Sequence, residues 1–96
     1  MPLAVRFQDE LFMPVVVCDY CGKDIETAND GNCQWLGTDG PCRLYFTHKA
    51  CCRAFEHRHG GHWCWMELAA LPAYLVTNLG ISWRESKRMA NFFSRM

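Results

Sequence analysis

Short β-branched and alternating runs occupy the first half of the chain, and longer stretches of helical period occupy the second. Pro14-Val15-Val16-Val17-Cys18 is brief and β-branched, which predicts a strand. Arg43-Leu44-Tyr45-Phe46-Thr47 alternates and carries aromatics, which predicts another, with Gln34-Trp35-Leu36 as a short partner in an irregular β-hairpin. Polar residues from Asp24 to Asn32, ending in Asn29-Asp30-Gly31-Asn32, read as a turn, as does Thr38-Asp39-Gly40-Pro41. Residues 1–12 lack a strong period. Phe7, Leu11 and Phe12 are expected to pack on the domain from a short strand or turn.

The helical signals follow. His48 to about Arg58 is expected to form a helix with Cys51, Cys52 and Phe55 inward and Lys49, Arg53 and Glu56 toward water, ended by Gly60-Gly61. Met66 to Leu79 is apolar and helical in character, with Gly80 as its stop. Pro72 inside it predicts a kink or two short helices, because proline removes a backbone donor. Ser82-Trp83-Arg84-Glu85 has the spacing of a capping box and opens a last helix from Trp83 to about Ser94. On that helix Met89, Phe92, Phe93 and Met96 share one face, and Arg84, Arg88, Asn91 and Arg95 line the opposite one. The pattern gives an α+β fold in one domain, residues 1–96. A β-hairpin plus helix spans about 13–60, and packing and C-terminal helices span 61–96.

Composition narrows this picture. The chain has 96 residues and is 50% hydrophobic, enough for a single core and too apolar for a disordered segment. Formal charge is zero but uneven. Residues 1–47 carry three basic and seven acidic side chains, and residues 48–96 carry seven basic and three acidic. A basic C-terminal half suits an anionic partner, or simply attracts the acidic half. The start of the chain lacks a basic region followed by a long apolar run, since Asp9 and Glu10 interrupt it, and Met13 to Val17 is too short to span a bilayer. A cytoplasmic protein without a membrane partner is therefore expected. Seven cysteines then point to metal thiolates in a reduced compartment rather than to a disulfide scaffold.

The chemistry sits in two short segments. In Cys18-Asp19-Tyr20-Cys21-Gly22, a two-residue gap lets both sulfurs face one point, and Gly22 permits the positive φ that turns the chain away. At His48 and Cys51, a spacing of three places two more ligands on one face of a starting helix. One zinc held by Cys18, Cys21, His48 and Cys51 is expected. With every position filled by protein, it would be structural. Cys52 is an alternative to Cys51. Cys33 and Cys42 flank the middle of the hairpin, more often as thiols that stay reduced than as a pair formed on oxidation. His57, His59, His62 and Cys64 straddle the Gly-Gly turn, as a second metal site or a solvated helix end.

Cys18-x2-Cys21, a hairpin-length gap and His48-x2-Cys51 together resemble a treble-clef zinc finger, and the ligand order Cys, Cys, His, Cys is similar to the first finger of LIM domains. The likeness covers about residues 15–59. The gap of 26 residues between the pairs is long for a LIM finger, and no second Cys-x2-Cys follows directly. The resemblance implies a fold and a metal, not a partner. A zinc-stabilised adaptor or regulatory module ranks first, binding another protein or itself as a homodimer, on a closed metal site and the aromatic segments at Trp63, Trp65, Trp83, Phe92 and Phe93, most of which are expected to fill the core and the rest to offer a contact. The alternative is nucleic-acid binding through Arg84, Lys87, Arg88 and Arg95. Catalysis is not expected. The catalytic hairpin histidine of HNH-type nucleases, which are treble-clef relatives, has no counterpart, since every histidine here lies at or after position 48. A Cys64–His62 nucleophile pair and a zinc-linked thiol redox switch rank lower.

Overall fold

A computed structural model of the protein describes residues 3–37, 40 and 42–93. The first half forms more strand than the pattern predicted. Strand β1 (Leu3–Gln8) pairs antiparallel with β2 (Leu11–Val17), and β2 pairs in turn with the short β3 (Asp24–Ile25). Asp9 and Glu10 join the first two strands with φ of 53° and 65°. Two consecutive left-handed residues make a primed hairpin turn, whose twist matches that of the strands it joins. The strand expected at 14–18 thus begins at Leu11, and the weakly patterned start of the chain is its partner.

The second sheet has β4 (Gly31–Leu36) at its centre, between β5 (Tyr45–His48) and β6 (Trp63–Glu67). The Thr38–Pro41 turn lies mostly outside the described residues. β6 corrects the expectation that helix begins at Met66. Asn32, Cys33 and Gln34 of β4 are buried, so their backbone groups need partners on both sides, and β6 supplies the second edge. The helix expected from His48 also starts later. His48 ends β5, a 3-10 turn covers Lys49–Cys51, and α1 runs over Cys52–His59. Gly60, at φ 65°, ends it as expected.

After β6 a 3-10 turn, Leu68–Ala70, leads into α2 (Leu71–Asn78). Pro72 lies in the first turn of α2, where its missing N–H would have had no partner, so it starts a helix and kinks none. Gly80, at φ 67°, stops α2, with Ile81 N–H donating to the Val76 carbonyl at 3.2 Å. The last helix, α3, spans Trp83–Phe93, and the Glu85 N–H donates to Ser82 Oγ at 3.1 Å. That is half of the expected capping box. The Glu85 carboxylate turns to Arg88 at 3.1 Å instead of reaching back.

The two faces of the second sheet carry different cores. Cys33 and its cross-strand neighbours Phe46 and Met66 pack with Cys18, Ile25 and Leu68. Gly31 admits this approach, since a Cβ there would lie 2.7 Å from Leu68 and 3.0 Å from Ile25. On the other face, Phe55 of α1 is 1% exposed between the rings of Tyr45 and Trp63, at centroid distances of 5.4 and 5.2 Å. Fully buried Gln34 donates to Glu56 at 2.8 Å and accepts from Thr47, tying β4 to α1 and β5.

Candidate metal centre

The site is assembled by a turn, a strand end and a 3-10 turn. After β2, the Cys18 N–H donates to the Lys23 carbonyl at 2.9 Å and the Gly22 N–H to the Cys18 carbonyl at 3.0 Å, closing a tight loop. Gly22 sits at φ 76°, where a side chain would be strained. Asp19 docks this loop on β5. Its N–H donates to the Phe46 carbonyl at 2.7 Å, and its carboxylate accepts the Phe46 N–H at 2.9 Å. The loop is thereby fixed two residues from His48.

Cys18, Cys21, His48 and Cys51 each direct one donor atom into a space where all four atoms lie within 4.8 Å of one another. Cys21 Sγ is 3.4 Å from His48 Nδ1. A tetrahedron with metal–sulfur bonds of about 2.3 Å has edges of about 3.8 Å, so the spacing suits a single small cation. The second ring nitrogen is committed, because Nε2 lies 3.1 Å from the Asp24 carbonyl oxygen. A carbonyl only accepts, so Nε2 carries the proton and Nδ1 presents its lone pair to the three sulfurs. Asp24 is itself gripped by Arg6, at 3.1 Å from Nε and 2.7 Å from Nη2, which connects the first hairpin to the site.

The electrostatics favour a cation at this point. Burial alone would push the Cys18 thiol up. The backbone N–H groups of Cys21, His48 and Tyr20, with the His48 side chain, outweigh it and bring the value down to about 6. Burial also disfavours charge on His48, yet Cys18 and the Asp24 carbonyl raise its pKa. Cys51 is pushed up to about 12, by burial and then by the negative charge of Cys18 and Cys21 beside it. Three sulfurs in so small a volume cannot all ionise unaided. A divalent cation removes that repulsion, and the donor set of three thiols and one imidazole is the soft-to-borderline set that such a cation prefers.

The remaining candidates separate clearly. Cys52 directs its thiol to Glu56 at 3.4 Å, and it is Cys51 that joins Cys18, Cys21 and His48 in the cluster. None of the seven cysteines is in a disulfide. Cys33 lies in the core, whereas exposed Cys42 donates to the Leu36 and Gly40 carbonyls, so the pairing suggested for oxidising conditions is not formed. His57, His59, His62 and Cys64 do not converge; among the described residues the Cys18 group is the one cluster of its kind. His59 instead packs on Phe55, at a centroid distance of 4.4 Å. Arg84, Lys87 and Arg88 are exposed on α3, with Arg88 held by Glu85 at 3.1 Å, and Arg95 lies outside the described residues. Sequence reasoning missed Asp19 and Asp24. Asp19 sits inside the Cys-x2-Cys motif, but Asp24 acts through a backbone carbonyl, which no residue type signals.

Among the described residues, no helix is long and apolar enough to cross a membrane. No family model, curated protein or solved structure matches the chain.

Proposed function

We propose that this chain is a zinc-stabilised interaction module of treble-clef type, in which one structural zinc is held by Cys18, Cys21, His48 and Cys51. The convergence of those four donor atoms, from segments 27 or more residues apart, carries the reading. The knuckle after β2, the β4–β5 hairpin and the helix that follows the second ligand pair run in treble-clef order. Four protein donors close the coordination shell. The metal's part is then to hold the fold, and the module's work falls to its surface, where it meets another protein chain. Zinc is favoured over redox metals because three thiolates with one imidazole form a common structural zinc set. The test is elemental analysis of untagged protein before and after chelator, with cobalt(II) substitution to read the geometry. One zinc per chain and a tetrahedral thiolate spectrum are expected. Metal-free protein with unchanged circular dichroism would contradict the reading.

A second reading rests on the exposed Arg84 and Lys87 on one face of α3. Contact with nucleic-acid phosphates through that face would weaken steeply as salt rises. Retention on DNA or RNA at low ionic strength, lost on Arg84→Glu, is its signature.

A further inference from the structure

The molecule exposes more surface than a monomer of its size needs, and the excess is apolar. Its accessible surface is 7407 Å² for a mass of 11.1 kDa. A folded monomer of that mass exposes about 5,700 Å², so about 1,700 Å² is in excess. The radius of gyration is 14.8 Å, against about 12.5 Å for a compact chain of this length. The exposed apolar parts are identifiable. In the β1–β2 hairpin, the register puts Leu3, Val5 and Phe7 opposite Val16, Pro14 and Phe12, so one face is wholly apolar. Leu3, Val5, Phe7 and Phe12 are each more than half exposed. An isolated two-stranded hairpin is marginal in water, and one with such a face requires a cover. On the other side, α2 and α3 bury no residue, and Leu79, Trp83, Phe92 and Phe93 stand open. Between hairpin and helices runs a groove of about 1010 Å³, with Leu3, Val16, Leu71, Leu75, Leu79 and Trp83 in its walls and the acidic Asp24 and Glu26 among its lining.

We propose that a second copy of this chain covers this groove, in a twofold dimer that sets the hairpin side of each protomer against the α2–α3 side of the other. The surplus area is what a protomer loses in such an assembly. Standard interfaces bury about 800 Å² per partner, and obligate homodimers more. Charge selects a copy of the chain over an unrelated partner. The hairpin carries Asp9 and Glu10 against Arg6, and α3 carries Arg84, Lys87 and Arg88 against Glu85. In a twofold contact every meeting of one patch with another occurs twice, so acidic meets basic in both places. Arg84, Lys87 and Arg88 are exposed on α3, and Asp24 and Glu26 are among the residues that line the groove. The proposal rests on the zinc module only in that the metal fixes the platform. The surface it assigns is separate from the ligands.

The test is light-scattering mass and sedimentation equilibrium on the full, untagged, metal-loaded chain, up to about 100 μM. Zinc content is measured on the same samples. A mass of twice 11.1 kDa is expected. Leu79→Glu and Trp83→Glu change groove residues that are 74% and 61% exposed. They should weaken association at least about tenfold, with unchanged circular dichroism and zinc content. A chain that stays monomeric throughout overturns the proposal, as does a dimer indifferent to both substitutions. A monomer that binds vesicles containing phosphatidylserine, or DNA at low salt, would reassign the same face to that surface. One zinc on a monomer defeats the dimer alone, and a metal-free dimer defeats the metal reading alone.

Discussion

The middle of the molecule and its periphery are held together by different means. From Cys18 to Leu68 the chain buries Ile25, Cys33, Phe46 and Phe55, satisfies Gln34 and Thr47 with internal hydrogen bonds, and brings four metal donors to one point. Outside it, the β1–β2 hairpin buries no side chain, and neither do α2 and α3. A chain of this size has little interior to share out. Here the interior and the Cys-His cluster serve the centre, and the flanking elements keep apolar faces turned outward. The contrast explains why the same chain combines a closed, inward-looking site with an unusually open surface.

The largest effect that would break the contrast is loss of a ligand. Structural zinc in small fingers contributes about 10–16 kcal/mol of apparent binding energy at neutral pH, against a net domain stability of about 5–15 kcal/mol. Cys18→Ser or Cys21→Ser should therefore abolish the cooperative thermal transition of the centre, followed by near-ultraviolet circular dichroism. Next is Phe55→Ala. Phe55 is 1% exposed among three rings, and its truncation should cost about 3–5 kcal/mol in chemical denaturation. Phe92→Ala, the same change on the periphery, should move the stability of the monomer by no more than about 0.5 kcal/mol. Equal losses at the two positions would erase the distinction.

Between them lies Ser82→Ala, which removes the cap on Glu85 N–H and should cost about 1 kcal/mol, read as lower helicity confined to α3. Smallest in energy, but sharpest as a map, is thiol reactivity. Cys33 is fully buried, and burial pushes its thiol up to about 11. Exposed Cys42 should alkylate within the folded, metal-bound protein, while Cys33 should react only on unfolding. Early labelling of Cys33 would show that the centre opens as readily as the edge.

The sequence showed the metal site more clearly than the elements around it. Cys18, Cys21, His48 and Cys51 were legible because ligand spacing is a local property, and the gathering of their donors follows from it. The end of α1 and the end of α2 were legible through Gly60 and Gly80, which take φ values that other residues avoid. The β1–β2 hairpin was not legible, because its turn is Asp9-Glu10 rather than a glycine-containing pair. β6 was hidden for a different reason. Trp63 to Glu67 has no strong strand signature of its own and is a strand because buried β4 needs a second partner. Of the two outcomes that Pro72 suggested, a kink or two short helices, the structure has the second, a 3-10 turn followed by α2 with the proline in its first turn. The choice between Cys51 and Cys52 rested on which way the 3-10 turn faces, and spacing does not encode that.

Zinc titration into chelator-stripped, untagged chain tests the central claim most directly, with amide hydrogen exchange read at Cys33, Phe46 and Thr47. The account expects rapid exchange at all three without metal and full protection at one equivalent of zinc. Protection already complete in the stripped protein, or reached with no dependence on zinc, would contradict it.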